Sequence, residues 1–197
     1  MNALLQETLS LRARYDEEPS HSDQVTVLAL QIFDGLEKWH GLTKRHRDFL
    51  QSAALLHDIG WSQTPDGKGH HRWSARMIQE HAWENLKKDE VPVVAQIACY
   101  HRKAPPQSDH VDFHELPVSA QKIVMTLGGI LRLADALDRT HTSKIERVEA
   151  SFTNEAILIR VKSTGTWEAE RTAFETKRDM LRLAADRMVL CEELPAD

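Results

Sequence analysis

The chain has 197 residues, of which 41% are apolar and 28% charged, and a formal net charge of −5. A fold of this length buries roughly 70% of the surface its unfolded chain exposes, enough for one good core with a small appendix, and the composition excludes a disordered or fibrous chain. The negative balance argues against wholesale electrostatic binding to nucleic acid or to an anionic membrane.

The opening MNALLQETLSLRARYDEEPS lacks the basic start and apolar block of a secretory signal, and residues 3–15 read as a short helix. Ser20 and Ser22 are candidate caps for a longer helix that carries Val25, Leu28, Ala29, Ile32, Phe33 and Leu36 at helical spacing. Thr43 is the candidate cap of a third, which runs through Phe49, Leu50, Ala53, Ala54 and Leu56 and stops at Gly60. The stretch 61–69, WSQTPDGKG, has loop composition. Helices are expected over about 70–87 and 91–102, the second ended by Pro105 and Pro106. Residues 104–118 are polar and proline-containing and read as a long loop, of the kind that is often functional. A long helix over 119–138 carries Ile123, Val124, Leu127, Leu131 and Ala134 on one face.

Beyond it the pattern changes to period two. Residues 146–152 and 156–162 read as a hairpin turned near Thr153-Asn154-Glu155, residues 167–184 as a helix and 187–191 as a last strand. The expected fold is therefore mostly α. A helical domain over 1–145 is followed by a small α+β appendage over 146–197, with no proline- or glycine-rich linker between them, so the appendage should pack on the helices. No apolar run approaches the ~18–20 residues of a membrane span. Cys99 and Cys191 form no disulfide framework, which points to a reducing cytoplasm.

The informative feature is where polar residues fall on apolar faces. Among 11 histidines, His21 precedes Val25, Leu28 and Ile32 by four, seven and eleven positions and shares their face. His57 follows Leu50, Ala53 and Ala54 by seven, four and three, and His101 follows Val94, Ile97 and Ala98 by the same spacings. Asp135 lies along the stripe of Gly128 and Leu131. Each projects toward whatever the helices pack around. Asp58, adjoining His57 at a helix end, can reach the same point from another angle. Unpaired carboxylates and imidazoles are costly to bury, so the set must satisfy itself by hydrogen bonds or hold a cation. A lone inward histidine is more often a hydrogen-bonded core residue than a ligand, and one His-Asp dipeptide carries little information. It is the order and spacing of the whole set that are distinctive.

That order, His21, His57-Asp58, His101, Asp135, resembles the H…HD…D pattern of the HD-domain superfamily of metal-dependent phosphohydrolases. The strings AALLHDIGW (53–61), GHHRWSARMI (69–78), ACYHRKAPP (98–106) and LRLADALDRTH (131–141) are similar to the HD module at the C-terminal end of exopolyphosphatase and guanosine-pentaphosphate phosphatase proteins. The strand–strand–helix–strand tail resembles the end of those proteins too, so the resemblance covers nearly the whole chain. Their N-terminal actin-like ATPase-fold half, which carries the family's phosphatase chemistry, has no counterpart in it, and the expectation is a free-standing HD module.

The resemblance implies a helical bundle around one or two divalent cations. Mn, Fe, Co, Ni or Zn suit mixed imidazole and carboxylate ligands, and Mg is also compatible. His21, His57, Asp58 and Asp135 match the family's ligand set, Asp58 would bridge two ions, and His101 matches a ligand of the second. One more histidine should come from the helix starting near residue 70, where His70 and His71 are both candidates. Trp73 stands where related modules often carry a further histidine. The implied reaction is attack by a metal-activated hydroxide on a phosphomonoester, phosphoanhydride or nucleotide, with Asp58 and Arg102 in catalytic roles. Lys68, Arg72, Arg102, Lys103 and Arg139 lie near the ligand motifs and are candidate phosphate binders, arginine offering forked contacts. Asp138 either orients a ligand histidine or pairs with an arginine. Two other functions compete: a di-iron oxygenase, known among HD folds, and a non-catalytic module that senses nucleotide or polyphosphate. The implied partner is a phosphate-containing small molecule or polyphosphate, with no membrane and no sequence-specific nucleic acid; a homodimer stays open.

Overall fold

In the computed structural model, which describes residues 2–194, the helical periodicities become α1 (Ala3–Arg12), α2 (Pro19–Gly35), α3 (Glu37–His40), α4 (Lys44–Leu56), α5 (His70–Glu80), α6 (Val91–Cys99), α7 (Val111–His114) and α8 (Val118–Ala136). The tail is β1 (Ile145–Phe152), β2 (Ala156–Ser163), α9 (Glu168–Lys177), α10 (Asp179–Ala185) and β3 (Met188–Glu193). Position 1 and positions 195–197, which the two expected domains include, lie outside the described residues. The apolar stripes meet as expected: Val25, Leu28 and Ile32 of α2, Leu50 and Ala53 of α4, Val94 and Ile97 of α6, and Leu127, Leu131 and Ala134 of α8 are fully buried.

In the tail, β2 pairs antiparallel with β1 and parallel with β3, with Val148 opposite Val161 and Ile157 opposite Val189. One face of this sheet, with Ile145, Ile157, Ile159 and Val161, joins the same hydrophobic cluster as the helices. A Cβ built on Gly129 of α8 would lie 2.9 Å from the Leu181 backbone, so a glycine there lets α10 press directly on α8. No helix is long and apolar enough to cross a membrane among the described residues.

Several boundaries differ from the sequence reading. Helix α2 starts at Pro19, not at a serine cap, because proline's missing N–H costs nothing at the first helical position; Ser22 instead donates to Asp16, at 2.6 Å. Thr43 does cap α4, in a reciprocal box closed by His46. Helix α5 ends at Glu80, well short of 87, because the Trp83 indole donates to the Ile78 carbonyl and Glu7 accepts from the backbone N–H groups of Glu84 and Asn85. Helix α6 stops at Cys99, and the loop 104–118 contains the short helix α7. The single helix expected over 167–184 is two, joined at Arg178, whose guanidinium donates to the Val189 carbonyl.

Gly60 has a different role from the expected helix stop. Helix α4 ends at Leu56, and Gly60 sits in a 3-10 turn over Ile59–Gln63. A Cβ there would lie 2.1 Å from the His70 carbonyl oxygen and 2.5 Å from the Ser74 backbone nitrogen, so only glycine lets this turn rest on the start of α5. The Gly60 N–H donates to Ser74 Oγ at 2.9 Å. Gly60→Ala is expected to cost about 2–3 kcal/mol, at the upper end for overpacking, because backbone rather than a flexible side chain must move. A denaturant titration should show a lower midpoint at unchanged slope.

Candidate metal centre

Six side chains from five points of the bundle converge between α2, α4, α5, α6 and α8. His21 lies in the first turn of α2, His57 and Asp58 just past α4, His70 at the start of α5, His101 two residues past α6, and Asp135 in the last turn of α8. All four histidines are buried, His57 completely. Each Nδ1 has a fixed acceptor. His57 donates to the Ala54 carbonyl at 2.7 Å, His70 to Gly67 at 2.8 Å, and His101 to Ala98 at 2.8 Å. His21 donates to Asp138 Oδ2 at 2.7 Å. Carbonyls and carboxylates only accept, so the proton of each neutral ring sits on Nδ1 and the Nε2 lone pair faces the centre.

The carboxylate oxygens divide the set into two groups. Asp135 Oδ1 lies 3.5 Å from His21 Nε2 and 3.8 Å from His57 Nε2. Asp58 Oδ2 faces the same two nitrogens, at 3.9 and 3.6 Å, while its Oδ1 faces His70 Nε2 at 3.2 Å and His101 Nε2 at 3.5 Å. Asp58 thus spans both. In each trio, His21–His57–Asp135 and Asp58–His70–His101, the ligand atoms lie within 4.8 Å of one another, which suits a shared ion. His21 Nε2, His57 Nε2 and Asp58 Oδ1 are buried with no hydrogen-bond partner. The Nε2 atoms of His70 and His101 stand 3.3 Å apart, lone pair to lone pair when both Nδ1 atoms carry the proton. A cation resolves each of these deficits, so the residues present fit one or two divalent ions.

Charge points the same way. Burial disfavours a proton on His21, but hydrogen bonds to Asp135 and Asp138, and the charges of Asp135 and Asp58, outweigh it and push its pKa up to about 10. The pocket of carboxylates therefore attracts positive charge. Burial and then the neighbouring His57 hold His101 well below the usual histidine value, leaving a neutral ring. Burial opposes ionisation of Asp135, yet Lys177, followed by His21, holds its carboxyl well below the usual range. Asp58 is likewise held low against burial by His57, His70 and His101.

The structure separates the two adjacent histidines near residue 70. His70 points into the centre, its ring stacked on Trp61 at 4.5 Å between centroids. His71 turns away, buried with an unpartnered Nδ1, and burial together with the charges of His70, Arg102, Arg72 and Lys103 pushes its pKa down to about 4. Arg102 Nη1 lies 3.1 Å from both ring nitrogens of His70, at the edge of the centre. Arg72 and Lys103 line a different cleft, between α5 and α6. Lys68 is solvent-exposed and paired with Asp66, and Arg139 is exposed on the far side of Asp138 in the chain. Proximity in sequence did not bring those two to the centre.

Two contributors were not among the expected site residues. Lys177, at the end of α9, pairs with Asp135 Oδ2 and leaves Oδ1 for the centre. His141 stacks on His21 at 3.7 Å and donates to Glu18 at 2.8 Å. Asp138 bonds the His21 ring rather than an arginine, and its second oxygen accepts from the Ser143 N–H at 2.8 Å. A cleft of about 530 Å³, rimmed by Tyr15, Asp16, Glu17, Glu18, Trp61 and His141, opens onto His21 and Asp58.

The fold and this centre define a class: a mostly helical chain with a small C-terminal sheet and buried histidine and carboxylate groups of the kind that hold divalent cations. The family model described as Ppx/GppA phosphatase, domain III, matches residues 6–182, and the chain belongs to that family. No curated protein matches it.

Proposed function

We propose that this chain is a metal-dependent phosphohydrolase of the HD type. The observation that supports this reading is the pair of adjoining trios, His21–His57–Asp135 and Asp58–His70–His101, in which His21 Nε2, His57 Nε2 and Asp58 Oδ1 are buried without a hydrogen-bond partner. His21, His57, Asp135 and Asp58 would hold one ion, and Asp58, His70 and His101 a second. Divalent cations bound there supply Lewis acidity, lowering the pKa of water and neutralising phosphoryl oxygens.

The protein's own groups do the rest. Asp58 fixes the separation of the two groups by giving one oxygen to each. The Nδ1 acceptors lock every imidazole in one tautomer, so no reorganisation is needed when charge develops. Arg102 sits beside His70, where its guanidinium can take two phosphoryl oxygens as a fork. Lys177 neutralises the outer oxygen of Asp135. The substrate, a phosphomonoester, phosphoanhydride or nucleotide, enters by the cleft that exposes His21 and Asp58. Cys99 and Cys191 are free thiols, consistent with a reducing cytoplasm.

The test is elemental analysis of untagged protein, followed by a phosphate-release screen under nitrogen with Mn²⁺, Mg²⁺, Co²⁺ and Ni²⁺. Bound metal with phosphate release is expected. Iron with an O₂-dependent reaction would replace this reading by an oxygenase. Tight nucleotide binding without turnover in any metal would replace it by a sensor.

A further inference from the structure

The cleft between α5 and α6 lies outside the metal centre and has a composition of its own. It is about 960 Å³ and lined by Arg72 and Arg76 of α5 and by Arg102 and Lys103 beyond α6, with His71 at its base. None of His21, His57, Asp58 and Asp135 reaches it. Arg76 is already engaged, by Glu80 and by the Trp73 ring. Among the described residues Arg72, Arg102 and Lys103 form no ion pair, Arg102 touching only the His70 ring, although Asp109 and Asp112 also border the cleft. His71 is 7% exposed and its buried Nδ1 has no hydrogen-bond partner.

Cations that share a concave wall raise one another's potential, and a cleft focuses that field. Arg45, Arg47 and Arg132 each have a carboxylate partner, in Glu90, Asp34 and Asp179, whereas Arg72, Arg102 and Lys103 share one wall of this cleft without one. Three cations without a carboxylate partner at one place are therefore a deficit of negative charge. A polyvalent oxyanion offsets that deficit, since guanidinium forks match its oxygens. The cleft volume falls in the range of small-molecule sites and well exceeds a single phosphate.

We propose that this cleft is a second binding site, separate from the metal centre, for a phosphate-type oxyanion carrying at least two negative groups, held by Arg72, Arg102 and Lys103. Its occupancy does not require metal. Arg102, flanked by His70 on one side and the cleft on the other, is the contact between the two sites.

Inorganic pyrophosphate is the probe, titrated calorimetrically into the full chain stripped of metal by a chelator. One molecule is expected to bind per chain, and affinity should fall by about 10–100-fold in the double variant Arg72→Ala/Lys103→Ala, which removes two charge-assisted contacts. Both side chains are exposed, so circular dichroism should remain unchanged. Backbone amide shifts of the unaltered chain should localise the effect to α5 and the residues after α6. Loss of all pyrophosphate binding on chelation, equal affinity in the double variant, or shifts clustered instead around His21 and Asp135 would each overturn the site. Because binding is read without metal and without turnover, this result is independent of whether the metal centre hydrolyses phosphate.

Discussion

Replacing Asp58 by alanine should abolish turnover and empty the metal centre, with the helical fold retained. Asp58 is the one side chain that gives an oxygen to each trio: Oδ2 toward His21 and His57, Oδ1 toward His70 and His101. Its removal takes a ligand from both positions at once and leaves four imidazole nitrogens facing one another with only Asp135 for charge. The loss should exceed the ~10–100-fold typical of groups that merely orient a ligand. Asp58→Asn keeps the shape but replaces one acceptor oxygen by a donor, so one trio faces an N–H where it needs a lone pair, and that variant should bind at most one ion weakly. Metal per chain, phosphate release and circular dichroism decide the matter. Retained activity in Asp58→Ala would mean that the chemistry lies elsewhere.

What the sequence makes legible here follows helical geometry. His21, His57, His101 and Asp135 stand at three, four or seven positions from residues that are unmistakably core, and the period of 3.6 carries each inward. His57 and His101 even share a local device, a small residue three positions earlier (Ala54, Ala98) whose carbonyl accepts the Nδ1 proton. His70 repeats it with Gly67. The choice between His70 and His71 is not legible, because their helix starts at that point and no earlier turn fixes its phase. It is settled by the 3-10 turn at Gly60 resting on the His70 carbonyl, a contact between segments ten residues apart. Gly60 shows the same limit: a glycine at a helix end reads as a stop, and only the approach of α5 reveals why a side chain is excluded.

The basic residues fail for a related reason. Lys68 stands two positions from His70 and Arg139 four from Asp135, yet a charged side chain on a turn has no apolar stripe to set its direction. Lys177 is the converse. It lies 42 residues from Asp135, on a helix of the appendage, and nothing local distinguishes it from a solvated lysine. Close packing of α10 on α8 at Gly129 brings the end of α9 to the centre, so the appendage contributes to the site as well as covering the core.

Asp138 offers the sharpest separation of ligand orientation from stability. It accepts the Nδ1 proton of His21 with Oδ2 and the Ser143 N–H with Oδ1, so both oxygens are used. Asp138→Ala should weaken metal binding or turnover by about 10–100-fold, but it also leaves the Ser143 N–H unpaired and lowers stability, which confuses the two effects. Asp138→Asn resolves them. Its single carbonyl oxygen can satisfy Ser143, preserving the loop, and its amide then donates to His21 Nδ1. That forces the His21 proton onto Nε2, into the place a cation needs. The asparagine variant should therefore melt close to the unaltered protein yet bind metal at least as poorly as the alanine variant. A His21 ligand that is merely packed, with no role for its tautomer, predicts the opposite: asparagine binding metal nearly as well as aspartate.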